Sequence, residues 1–262
     1  MLIDFHTHVF LDKLAPGAVS SLAERAHFKP YANGTVAATR ALMHEQGVDR
    51  FVALNIAVSP HSERHVNDFA ISLLQYPDII PFGSVHPDSE NALSELERLK
   101  GAGIKGIKFH NEYQNFQVDD ERAFPIYEAC EKYGLIMLFH AGADRGFAPP
   151  VKTPPEGLRR VWEHFPQSKI VAAHLGGQDM TDRALSALAD TGVYIDISFA
   201  ASSVPAEQGE KVIRAFQNRV LFGSDCPWDT PARTLSYLSQ MHFTEKEKED
   251  ICFRNALTLL GE

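Results

Sequence analysis

Eight short apolar runs, separated by stretches of helical periodicity, constrain this chain more than any other feature. The runs are Leu2–Phe5, Phe51–Val58, Ile79–Val85, Ile104–Phe109, Leu135–Phe139, Ile170–Ala173, Val193–Ile197 and Val220–Phe222. They are rich in Val, Ile, Leu and Phe and mostly lack in/out polar alternation, the pattern of strands buried on both faces of a parallel sheet. Between them, Ser89–Ala102 places Ala92, Leu93, Leu96 and Leu99 on one stripe, with Glu95, Glu97, Arg98 and Lys100 outside it. Asp88 or Ser89 offers its N-cap, and Gly101 and Gly103 stop it. Val36–Gln46, Asp119–Tyr133, Glu156–Phe165, Thr181–Asp190, Ala206–Gln217, Pro231–Gln240 and Glu245–Leu260 read as helices too.

Strands alternating with helices over 262 residues predict an α/β fold, a (β/α)8 TIM barrel forming one domain over residues 1–262. An open doubly wound sheet would carry a glycine fingerprint after the first strand, and none is present. Residues 11–35 are the least regular and read as a long first loop or lid.

In such a barrel, catalytic groups stand at the C-terminal ends of the strands. His6 and His8 close the first run, His86 the third, His110 the fourth, His140 the fifth, His174 the sixth and Asp225 the eighth. Six of twelve histidines thus fall at strand ends, where chance would put roughly 0.4. His6 and His8, two apart on a strand, point to the same side and can share one ion. Imidazoles with a carboxylate suit zinc, with manganese, iron and nickel as alternatives.

The same words resemble a known family. Asp4-Phe5-His6-Thr7-His8, Val85-His86-Pro87, Gly106-Ile107-Lys108-Phe109-His110, Phe139-His140-Ala141-Gly142, Ala173-His174-Leu175-Gly176-Gly177 and Ser224-Asp225-Cys226-Pro227-Trp228 are similar to motifs of the amidohydrolase superfamily. They are closest to its "amidohydrolase 2" branch, which includes aminocarboxymuconate semialdehyde decarboxylase. The resemblance implies one divalent ion held by His6, His8, His140 and Asp225, with His174 contacting water or substrate. A divalent ion lowers the pKa of a coordinated water, and a histidine near its working pKa can move the proton. Asp225 is a candidate for catalysis as well as ligation. Some superfamily members carry a carbamylated lysine at the place of Lys108. The expectation here is a mononuclear site, with Lys108 pairing with a carboxylate such as Asp4 or with substrate.

Other groups give the expected substrate its character. Lys108, His110, Arg145 and Trp228 are candidate substrate-binding residues, with Tyr113, Phe116 and Phe147 as further walls. Arginine is geometrically suited to a carboxylate, and a ring wall suits an apolar body. Lys152 offers a second loop cation, and His86 either supports the site or is structural. His27, His44, His61, His65, His164 and His242 read as surface or packing residues.

The leading functional expectation is a metal-dependent hydrolase acting on a small carboxylated amide, ester or lactone. The alternative is non-oxidative decarboxylation of an aromatic or unsaturated acid on the same site. A phosphodiesterase of the TatD type is disfavoured by the formal charge of −9, which repels nucleic acid. Three scattered cysteines exclude a disulfide framework and fit a reducing compartment. With no apolar run long enough to span a bilayer and no secretory leader in MLIDFHTHVF, a cytoplasmic enzyme without membrane or nucleic-acid partners is expected. Room is left for a homo-oligomer.

Overall fold

The computed structural model describes all residues from Met1 to Glu262. Strands form at all eight apolar runs: β1 (Ile3–Thr7), β2 (Arg50–Leu54), β3 (Ile79–Phe82), β4 (Gly106–Phe109), β5 (Ile136–Phe139), β6 (Lys169–Ala172), β7 (Tyr194–Asp196) and β8 (Val220–Leu221). All neighbours pair in parallel, in the orders β1-β2-β3 and β4-β5-β6-β7-β8. Two seams join these sheets. At one, Gly83 N donates to Gly106 O at 3.0 Å and Lys108 N to Gly83 O at 2.8 Å. At the other, Phe5 N donates to Phe222 O and Asp225 N to His6 O, both at 2.8 Å. The fold is the expected TIM barrel.

The absence of polar alternation has a direct cause. Ile3, Phe5, Val52, Leu54, Phe82, Leu138 and Leu221 form a cluster inside the barrel. The residues of opposite parity, such as Phe51, Ala53, Ile107, Phe109, Met137 and Phe139, belong to a second core between strands and helices. Both faces of each strand are therefore buried.

Helices follow every strand. α1 (Ala15–Ala26) and α2 (Val36–Glu45) come after β1, and α3 (Pro60–Ser72) after β2. Further helices at Ala92–Ala102, Phe124–Tyr133, Pro155–His164, Thr181–Leu188, Ala206–Phe216 and Pro231–Ser239 match the periodic segments to within a few residues, apart from the later start at Phe124. The last segment is divided, with a π-helical turn at Asp250–Arg254 between Glu245–Glu249 and Asn255–Leu260.

Three local readings are corrected. Residues 11–35 are not simply a loop, because α1 lies within them, and α3 was not marked by the sequence reading at all. The Ala92–Ala102 helix buries Glu95 and leaves Leu93 exposed, because Arg98, Arg64 and Asn67 donate to the Glu95 carboxylate. That helix begins at Ala92 rather than Ser89, and Ser89 Oγ instead donates to Glu63 at 2.8 Å. No helix is long and apolar enough to cross a membrane.

Candidate active site

The site begins with an irregularity in β1. Its register against β2 shifts between Asp4 and Thr7, a bulge of the kind that re-aims side chains. Below the shift Ile3 and Phe5 fill the barrel interior. Above it the His6 and His8 rings meet edge-on, with centroids 5.2 Å apart. Space for His6 comes from Gly223, where an added Cβ would lie 3.0 Å from the His6 Cβ. Asp225 has φ 69° and His174 φ 58°, left-handed conformations uncommon outside glycine and frequent at functional sites.

His6, His8 and Asp225 bring one ligand atom each within 4.8 Å of one another. The Asp225 carboxylate lies 3.3 Å from His6 Nε2 and 3.2 Å from His8 Nε2. The opposite ring nitrogens are already engaged, His6 Nδ1 with Asp196 at 2.8 Å and His8 Nδ1 with the Leu54 carbonyl at 3.2 Å. This leaves both Nε2 atoms facing the carboxylate, as metal-binding histidines require. Burial and the nearby Lys108 charge lower the His6 pKa to about 3, keeping the ring neutral. Burial favours protonation of Asp225, but the His8 hydrogen bond and the adjacent imidazoles outweigh it and hold its pKa at about 2. A neutral His6 ring beside an ionised Asp225 carboxylate is the protonation pattern cation binding needs. These three residues fit a divalent ion.

Asp196 was missed by the sequence reading, yet it organises the floor. Its Oδ2 accepts from His6, and its Oδ1 accepts from the His174 amide at 2.9 Å and the Ser198 amide at 3.1 Å. Burial alone would raise its pKa, but His6, His174 and Ser198 hold it well below the usual carboxylate range. A legible signal existed: one acid inside the apolar run Val193–Ile197. His174 Nδ1 lies 3.2 Å from the Ser198 carbonyl, and its Nε2 lies 3.0 Å from His140 Nδ1.

A second set lies across the mouth. His110, His140 and the unanticipated Asp144 also bring ligand atoms within 4.8 Å of one another. The His110 and His140 rings stack at 4.3 Å, and His110 Nε2 is 3.2 Å from Asp144. Burial lowers the His110 pKa to about 4 against the pull of Asp144. Burial and the neighbouring rings of His110 and His174 push His140 well down too. His140, expected beside His6, His8 and Asp225, is grouped here instead, linked to them through His174.

Lys108 does not reach the cavity. It is fully buried in the barrel, its Nζ has no hydrogen-bond partner, and burial lowers its pKa to about 8. The expected pair with Asp4 does not form. Asp4 Oδ1 instead accepts from the amides of His6 at 3.1 Å and Ser224 at 2.9 Å.

Above the floor opens a cavity of about 390 Å³. His8, His110, His140, His174, Asp225, Arg145 and Trp228 all line it, as does Tyr113. Arg145 makes no ion pair and lies over the rings of Phe28 and Phe199, 5.4 Å and 5.8 Å from their centroids. Phe116 is buried elsewhere, while Phe147 supports Tyr113 edge-on at 4.8 Å. His86 and Lys152 are absent from the lining, and His65, read as a surface residue, is present. The expected wall residues lie after β4, β5 and β8. Most of the apolar wall comes instead from residues Val9–Phe28 and Leu54–Phe69, at and after the ends of β1 and β2.

Comparison with known proteins is consistent with this geometry. A family model described as Amidohydrolase matches residues 3–261. Over 210 residues the chain is 26% identical to 2-amino-3-carboxymuconate-6-semialdehyde decarboxylase of Dictyostelium discoideum, covering 66% of this chain and only 58% of that relative. Among solved structures, 5-carboxyvanillate decarboxylase LigW from Sphingomonas paucimobilis superposes with TM-score 0.74 at 18% identity, covering 99% of this chain and 98% of that one. A protein named a "probable 2-pyrone-4,6-dicarboxylic acid hydrolase" from Acinetobacter baumannii gives TM-score 0.71 at 18% identity, covering 100% and 99%.

Proposed function

From the premise that this chain belongs to the amidohydrolase family, we propose that it is a divalent-metal-dependent decarboxylase of a small acid with an apolar body. One observation carries the choice: the histidines, Asp144 and Asp225 lie at and just after the strand ends, while the lining from α1 is wholly apolar and that from α3 holds only Ser62 and His65 as polar residues. Such a site provides partners for one polar end of a substrate. Hydrolysis of an amide, ester or lactone would ask it to accommodate polar groups on both sides of the cut, and unpaired polar groups are costly to bury. Desolvation above the floor also favours dispersal of carboxylate charge.

His6, His8 and Asp225 would hold the ion, with His140 proposed as the fourth ligand on the strength of the motif. A divalent ion there supplies positive charge that binds and polarises an oxygen-bearing substrate. Arg145, which lines the same cavity, pairs with the substrate's acidic group. His174 is placed to pass a proton through Nε2, which lies 3.0 Å from His140 Nδ1, in a ring orientation fixed by Ser198. In the reaction the bond to the carboxylate carbon breaks, carbon dioxide leaves, the electron pair stays on the body, and a proton relayed from water through His174 Nε2 forms the new C–H bond.

The hydrolase named among the structural relatives keeps hydrolysis as the second reading. Zinc and manganese are both compatible with the donor set. The test is a panel of aromatic and unsaturated acids beside carboxylated lactones and amides, with the metal-loaded protein. Carbon dioxide release without oxygen-18 incorporation from water is expected. Oxygen-18 in the product without carbon dioxide would replace decarboxylation by hydrolysis.

A further inference from the structure

The cavity is larger than the reaction needs. A cavity of about 150 Å³ accommodates a benzene ring. At about 390 Å³, this one is more than twice that size. The surplus lies away from the polar floor, between α1 and α3. Resting on the reading above, in which an acid group sits at the floor, we propose that the substrate carries an extended unbranched apolar tail, and that this tail runs out between α1 and α3.

Both helices are built for such an occupant. α1 packs on the barrel through Ala15, Val19 and Ala23. A second apolar row, Leu14, Ala18 and Leu22, repeats every four residues and lines the cavity. Opposite it, α3 buries Glu63, Asn67 and Ala70 and turns Val66 and Phe69 to the cavity. These inner rows are only partly buried, so they retain apolar surface that a ligand can cover. At the rim, Leu14 is 55% and Val58 50% exposed, among the most exposed large apolar side chains of the chain.

The polar inventory excludes other tails. Ser62 and His65 are the polar residues that α3 gives to the lining, and α1 gives none. A sugar, peptide or second carboxylate in this half would find only Ser62, already donating to the Ser59 carbonyl, and His65, and most of its hydrogen-bonding groups would stay unpaired. The floor belongs to the same continuous cavity, so one molecule can place its acid group against Arg145 and the histidines and its tail against Leu22 and Val66.

The test uses metal-loaded protein and straight-chain monocarboxylates from acetate to decanoate, with benzoate as a reference, titrated by calorimetry. Affinity is expected to rise by about fourfold for each methylene buried, then level off once the chain passes the rim. Ala18→Trp, or independently Val66→Trp, should make affinity level off at a shorter chain length while benzoate binding stays unchanged, which also reports that the variant is folded. A flat series with benzoate still bound would overturn the tail alone. A rising series that neither variant shortens would place the chain elsewhere and overturn the α1–α3 route. Failure of every acid, benzoate included, would overturn the tail together with the carboxylate reading beneath it.

Discussion

Of the three sets of two imidazoles and one carboxylate at the barrel mouth, His6–His8–Asp225 and His110–His140–Asp144 are built differently, while His6–His174–Asp196 shares His6 with the former. In His6–His8–Asp225 each ring has its far nitrogen tied to a fixed acceptor, Asp196 or the Leu54 carbonyl. In His110–His140–Asp144, the buried His110 Nδ1 has no partner, His140 is engaged with His174, and Asp144 belongs to the loop after β5. The first set is locked in ring orientation and suits a resident cation. In the second, His110 and Asp144 retain open donors and acceptors beside the cavity and suit substrate and protons. Matching residue types do not make matching sites; the surrounding hydrogen bonds decide.

The sharpest way to break this contrast is to remove one ring from each set. His6→Ala should lose more than about 100-fold in metal affinity, beyond the loss usual for an outer-shell partner, and reduce turnover to background. His110→Ala should keep one ion per chain after dialysis. Metal analysis showing the opposite pattern would exchange the two assignments. His174→Asn, at the link between the sets, should also retain the metal while turnover falls by roughly 10²–10⁴, the scale of a lost proton-transfer group. If metal and turnover fell together, His174 would itself be a ligand.

Smaller effects sharpen the comparison. Asp196→Asn leaves every proposed ligand in place but loosens His6 and His174, so a metal-affinity loss of about 10–100-fold is expected in competition titration. Unchanged affinity would show that the tether does not matter. His140→Ala, removing the proposed fourth ligand, should give a loss at least as large; unchanged affinity would place His140 with the second set alone. The mildest readout is thermal. An ion at 100 times its Kd adds about 2.7 kcal/mol, which for a chain of this size raises Tm by roughly 5–10 °C. Scanning calorimetry of stripped and reloaded protein should show that rise in the wild type and in His110→Ala, and none in His6→Ala.

Much of this was legible in the sequence, because some constraints are local. Strands buried on both faces must be apolar throughout, so the eight runs marked the barrel before any contact was known. Parallel strands put their ends on one rim, so residues terminating the runs had to share a mouth; His8, His110, His140, His174 and Asp225 do. α1 was obscured because its apolar residues occupy two stripes, one for the barrel and one for the cavity, which blurs the single-face period. What only tertiary structure decided was pairing. Whether His140 turns to His6 or to His110, whether Lys108 meets Asp4, and which acid steadies His6 depend on strand parity, the β1 bulge and the left-handed turns at His174 and Asp225. Such features set direction over a few ångströms between residues up to 220 positions apart, and no local pattern of side-chain type encodes that direction.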